Sequence, residues 1–408
     1  MAQRSSPHST QPIDAEQVRA LTVRHLTTVL PLNVTGYAYS DGDIYSLLVA
    51  AAAEQRSLES VSHQFVGAPS ANLVRHYLDD RLLWMLPVDE LEDRMNALLT
   101  SCLPPGLVGK RVRVAVDVTL LPYYGGYAEE PGEIRRGEAK AGTTRFHAYA
   151  SVYAIRRGRR VSLAVAFVQA EDALVDVLAE LLARVQVLRI GIERLYLDRD
   201  FASVAVLRLL AEQPFTSVVA LPKRGQRFKA LLTGRQGTRT SYTLSSAEEG
   251  ELTVPVWISV RYAKGRRGKQ GREYLPFAVV GRAHCELTIR QVAGEYRERF
   301  GIESSYRLMH QGLARTTSRD PGLRLLLVTV GLVLTNLWVW LKAILLAHTR
   351  RGERVDARAW LEHTFRLDGF RDLLLEAIRA RFQARTDLRY PFQLTASFTL
   401  QEAQIGKY

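Results

Sequence analysis

Two aspartates in this sequence each follow a run of strand-forming apolar residues: Asp117 in RVRVAVDVTLL and Asp198 in IERLYLDRDF. A carboxylate at the carboxyl end of a buried strand is costly unless it is paired or holds a cation. A third acid lies in AGEYRERFGIESSYRLMH, where Tyr296, Arg299 and Glu303 follow one another at intervals of three and four residues. On one continuous helix that spacing puts all three side chains on a single face. Three carboxylates brought to one point can hold two divalent cations about 4 Å apart, which serve an in-line phosphoryl displacement. Oxygen donors without Cys or His select Mg2+ or Mn2+ over Zn2+. Arg299 then offers a planar fork for a phosphate, and Tyr296 a ring and hydroxyl on the same face. Each residue also has a plainer role. A strand-end Asp can cap a turn, DRDF suits a helix N-cap, and Arg299 with Glu303 could form an exposed ion pair worth under about 1 kcal/mol.

The elements around these residues follow from the periodicity. Residues 1–13 read as a polar, disordered leader. Residues 14–103 carry a helical pattern with no strand-like alternation. Within them, Ser57 can cap one helix, Gly67 sits in a turn, and Pro69 and Ser70 open a second helix burying Leu73, Val74 and Leu78. That suits a DNA-binding, helix-turn-helix-like domain offering Asn72, Arg75 and His76 to a groove, although any two short helices around a Gly/Pro turn share the pattern. Pro104, Pro105 and Gly106 mark a boundary, after which the period becomes that of strands. Strands around Asp117, at Ala148–Ile155 and at Val161–Val168 precede a helix over 171–187. A strand ending in Asp198, a helix from about Phe201 and a strand from Ser217 complete a β-β-β-α-β-α-β order. That order predicts an α/β fold with a mixed sheet, its first part spanning 104–221.

Residues 222–275 interrupt this core with short strands and 12 Lys and Arg against 4 Glu, a local excess of +8. The span reads as a basic, β-rich insertion in which Arg266, Arg267 and Lys269 face a phosphate backbone; a solvated β-excursion is the competing reading. The core resumes over 276–350 with the Glu303 helix, and 351–408 form a C-terminal helical region. Gly322–Leu346 is long and apolar enough to span a bilayer. Arg324, Asn336 and Lys342 interrupt it, so a helix buried in the protein core is the expectation.

With 55 Lys and Arg against 42 Asp and Glu, the 408-residue chain carries a net charge of +13, which suits a polyanionic partner. Cys102 and Cys285 have no CxxC partner or nearby His pair, which excludes a structural zinc site and suits two small buried residues in a reducing compartment.

The segments VAVDVTLLPYYG, KAGTTRFHAYASVY, LYLDRDF and YRERFGIESSYR together resemble the successive blocks of DDE transposases from prokaryotic insertion sequences. The resemblance is to the subgroup with a Tyr-x2-Arg-x3-Glu-x6-Lys signature and a β insertion before the catalytic glutamate. It covers about residues 110–345. It implies an RNase H-like core with Asp117, Asp198 and Glu303 as catalytic and metal-binding residues for two Mg2+ or Mn2+ ions. It further implies DNA cleavage at transposon ends and strand transfer into target DNA. Tyr296 and Arg299 would contact DNA, with Lys140 and Arg307 as further contacts beside the Arg75 of the helix-turn-helix reading. His310 falls where the signature has Lys, a departure that leaves the role of that position open. DNA and a second copy of the chain, in a synaptic homodimer, are the implied partners, and the cytoplasm, on the nucleoid, the implied location. A non-catalytic or domesticated DNA-binding protein of the same fold, and a nuclease that cuts without joining, are the alternatives.

Overall fold

The computed structural model describes residues 13–104, 106–125, 131–156, 159–262, 271–283, 286–299, 301–349 and 351–385, with the side chains of 131, 156, 159 and 301–304 excepted. The chain opens with five helices: α1 (Ala15–Val29), α2 (Asp41–Glu54), α3 (Leu58–Ser62), α4 (Ala71–Leu78) and α5 (Val88–Ser101). Ser57 and Ser70 accept the capping N–H bonds of α3 and α4. Val74 and Leu78 are buried and Leu73 half-buried, while Asn72, Arg75 and His76 are exposed. Cys102 is buried just past α5, and Cys285 lies outside the described residues.

The middle of the chain builds one large mixed sheet. Strands β1 (Arg111–Pro122), β2 (Arg135–Lys140), β3 (Thr143–Arg156) and β4 (Arg159–Val168) come first. Then α6 (Leu174–Val187), β5 (Gly191–Leu197), α7 (Val204–Ala211) and β6 (Thr216–Ala220) follow. After α8 (Gln226–Leu231), strands β7 (Thr238–Ser246), β8 (Gly250–Tyr262) and β9 (Arg272–Val280) complete it. The path runs β2-β3-β1-β5-β6-β9-β8-β7, and β4 also pairs with β3. β1, β5 and β6 are parallel, and the other pairings are antiparallel. The order β4-β3-β1-β5-β6 is that of an RNase H-like core. The basic hairpin β7–β8 is joined to it without a break, because β9 pairs with both β8 and β6. Gly281 ends β9 at φ +122°, where a Cβ would sit 2.0 Å from the Phe215 carbonyl oxygen.

Strand alternation separates two layers. Val112, Val114 and Val116 pack with α6 and α7 on one face. On the other, Ala115, Tyr196 and Val218 pack against α9 (Ile289–Arg299), which is followed by α10 (Gly301–Gln311). The apolar stretch forms α11 (Pro321–His348), ahead of α12 (Arg354–His363) and α13 (Leu367–Phe382). α11 passes the length and composition test for a membrane span, yet 72% of its most apolar window is buried inside the protein. It packs between α5, α10 and β4, in a core shared with α1, α2 and α13. Asn336, which interrupts the apolar run, accepts the Ser162 N–H and donates to the Ser162 carbonyl, both at 2.9 Å. Asn96 of α5 does the same for Val165. These side chains satisfy the outer edge of β4, which would otherwise present unpaired backbone groups.

Candidate active site

The two aspartates meet because of the register between β1 and β5. Their parallel ladder closes at the pair Val116–Leu197, and the next residue on each strand is Asp117 and Asp198. Neighbouring strands lie about 4.8 Å apart, so the carboxylates share one end of one ladder. Alternation sends both toward α9, with Arg113 and Ala115 on β1 and Arg194 and Tyr196 on β5. One expectation changes here. Asp117 does not end its strand, since β1 continues to Pro122 against β3. What ends is β5, where Asp198 caps a single 3-10 turn, Arg199–Phe201, by accepting the Arg199 N–H. The apolar VTLL after Asp117 explains the longer strand: it keeps a partner in β3 after β5 has turned away.

Arg299 lies between the two acids. Its Nη2 is 3.1 Å from Asp198 Oδ2, and its Nη1 is 3.6 Å from Asp117 Oδ2. Arg299 is 2% exposed, so the pairing is screened little by water. Burial is the main force lifting the Asp117 carboxyl to about 6. Arg299 and the Val118 N–H oppose that rise, while the negative charges of Asp198 and Asp200 add to it. The site thus holds two crowded carboxylates with a cation between them.

Helix α9 is fastened to the sheet by groups that sequence reasoning did not single out. Glu295 accepts from Arg194 Nε at 2.9 Å and from the Tyr196 hydroxyl. Arg113 pairs with Glu298 at 2.8 Å and lies 3.6 Å from Glu295. Arginines at alternate positions of apolar strands, on the aspartate face, were the signal for such a clamp. The Tyr153 hydroxyl donates to the Glu298 and Arg299 carbonyls of α9. From α10, the Tyr306 hydroxyl donates to the Asp117 carbonyl at 2.6 Å and bonds Ser151 at 3.0 Å, fixing the backbone beneath the carboxylate. Burial first, then the nearby Asp117 charge, hold that hydroxyl protonated.

The single helical face expected for Tyr296, Arg299 and Glu303 falls in part outside the described residues. α9 is described to Arg299 and α10 from Gly301, with residue 300 outside the described residues, and Glu303 lies on α10. Its side chain lies outside the described residues. Tyr296 and Arg299 also turn inward, where a face open to a DNA end was expected. Tyr296 is 7% exposed, its ring 4.7 Å from that of Phe277, and its hydroxyl donates to the Leu197 carbonyl. Both side chains fill the joint between helix and sheet, which the Arg and Tyr at that spacing did not reveal.

The remaining candidates sit elsewhere. Arg307 and His310 are exposed on α10, and Lys140 is exposed at the end of β2. Burial and then the Lys140 charge lower the His310 pKa. His310 and Arg75 line a cleft of about 1100 Å³ between α3–α4 and the α10–α11 connection, near the end of β1. Arg75 pairs there with Glu59 at 3.3 Å. Arg266, Arg267 and Lys269 lie outside the described residues.

Asp117 and Asp198 offer hard oxygen donors held against one cationic group, a donor set that fits Mg2+ or Mn2+. Among the described residues no three His, Cys, Asp or Glu side chains converge on a point, and the Glu303 side chain lies outside them. No protein-family profile and no curated protein sequence matches the chain. The fold is similar to a solved structure, the cryo-EM structure of piggyBac transposase synaptic complex with hairpin DNA. The TM-score is 0.52 at 14% identity, over 94% of this chain and 85% of that one. The two chains share a fold at this level.

Proposed function

We propose that the protein is a transposase that cleaves DNA at transposon ends and joins the freed 3′ end to target DNA. The observation that carries this reading is the placing of Asp117 and Asp198 as consecutive exits from one parallel ladder, in a basic chain whose fold is similar to that of a transposase. Mg2+ or Mn2+ bound there would polarise the phosphodiester and lower the pKa of the attacking hydroxyl. Asp117 and Asp198 would hold the ions, with Glu303 of α10 as the third donor. Tyr306 fixes the β1 backbone at Asp117, and the Glu295 clamp keeps α9, and with it Arg299, in register with the two strands. Arg299 holds the two carboxylates together and offsets part of their charge. The DNA partner, two transposon ends held by two copies of the chain, is part of this proposal.

Asp117→Asn and Asp198→Asn keep the side-chain shape and remove the charge. Both are expected to abolish Mg2+-dependent cleavage of a transposon-end duplex. Asp117→Asn should leave thermal stability unchanged or raised, since burial already disfavours its charge. Cleavage by either variant at near wild-type rate would overturn the proposal. Joining of a labelled 3′ end separates a transposase from a nuclease that only cuts.

A further inference from the structure

The basic hairpin β7–β8 and the outer face of α9 enclose a groove of about 740 Å³. Four arginines line it: Arg239 of β7, Arg261 of β8, and Arg290 and Arg297 of α9. Among the described residues no acidic one lines it, and the polar remainder is Gln236, Ser259 and Thr288. All four arginines are exposed. Among the described residues none of them forms an ion pair with a carboxylate, even though Glu273 stands opposite Arg261 across β8 and β9. The acids of α9 are already committed on its sheet side, Glu295 to Arg194 and Glu298 to Arg113. The helix therefore separates charge. Its buried face meets the aspartates, and its groove side carries Arg290 and Arg297.

We infer that this groove binds the phosphodiester backbone of duplex DNA, away from the phosphate that reacts. The inference rests on the transposase reading for the identity of its ligand. Arg290 and Arg297 are seven residues apart, two helical turns or roughly 10 Å, close to three base-pair rises of about 3.4 Å. Arg239 is held ready by packing: its guanidinium lies 3.9 Å from the centre of the Trp257 ring, and its Nη2 donates to the Leu287 carbonyl at 3.0 Å. Gly294, one turn from both α9 arginines, has nothing within 4 Å of where a Cβ would stand. A backbone phosphate can thus come close to the helix. Arg299, two positions after Arg297, is turned about 200° away toward the aspartates, so one short helix joins the anchoring groove to the candidate active site.

The test is the salt dependence of binding to a labelled duplex oligonucleotide by the full chain. In R290Q/R297Q the slope of log affinity against log salt should flatten by roughly one to two units, one per lost phosphate contact. R290K/R297K, which keeps the charges, should retain most of the slope. R351Q/R358Q removes two exposed arginines from outside the groove and should leave the slope near wild type. An unchanged slope in R290Q/R297Q, with a native circular dichroism spectrum, overturns the groove. Equal flattening in R351Q/R358Q also overturns it, because net charge alone would then explain the binding. Wild-type protein that fails to bind duplex DNA sinks the transposase reading and the groove together. Binding and cleavage that survive with an unchanged R290Q/R297Q slope sink the groove alone.

Discussion

At the scale of single residues, the defining feature is a buried cation shared by two carboxylates. Removing one partner of a buried pair costs about 3 to 5 kcal/mol, because the charge left behind is unpaired. Arg299→Gln should therefore destabilise the metal-free protein by about that amount. The loss should be larger at pH 8 than at pH 5, where Asp117 can take up a proton. Denaturant unfolding at the two pH values checks this, and equal, small losses at both would show that the arginine is not holding the acids. His147 supplies a second titration. It is fully buried on β3, edge-on to Tyr123, with neither ring nitrogen hydrogen-bonded. Burial, aided by the Arg324 charge, lowers its pKa to about 4. The folded state thus favours the neutral ring. Its contribution is complete above the unfolded pKa near 6.5 and is lost as pH falls toward 4, roughly 3 kcal/mol in all. His147→Phe should flatten the stability profile between pH 6.5 and 4; a profile as steep as wild type would place the acid sensitivity elsewhere.

At the scale of elements, the position of Glu303 depends on how α10 meets α11. Gly331 makes that contact possible. A Cβ there would lie 2.9 Å from the Met309 carbonyl oxygen and 3.2 Å from that of Gly312. Gly331→Ala should push the end of α10 away, costing about 1 to 3 kcal/mol, and slow cleavage more than DNA binding. A variant with wild-type stability and rate would mean that α10 accommodates the methyl group without moving. Asn336 tests the other side of α11. Asn336→Leu keeps the branched shape but strands the Ser162 N–H and carbonyl in a dry interface, a loss of roughly 2 to 4 kcal/mol. Chemical denaturation measures it, and a change below about 1 kcal/mol would show that the β4 edge finds other partners.

At the scale of the whole molecule, α11 is the centre around which the helical region and the sheet are assembled. The protein should accordingly be recovered in aqueous buffer without detergent, and recovery only from detergent-solubilised membranes would contradict the packing around Asn336. Much of this architecture is legible in the sequence. β-branched alternation marks most of the strands, and the 3.6-residue period marks α6, because side-chain periodicity is a local property. Ser57 and Ser70 announce α3 and α4 for the same reason. The choice of Asp117 and Asp198 as a pair also comes from local runs, each acid following an apolar stretch. What the sequence leaves open depends on partners distant in the chain. β9 reads as little more than REYLPFAVV until β6 and β8 accept it on either side. Tyr296 and Arg299 carry the same letters whether a helix face meets water or a sheet, and only the packing of α9 on β1 and β5 turned them inward. Tertiary structure decided these points because burial and ion pairing across the fold outweigh local preference at positions where the local signal is balanced.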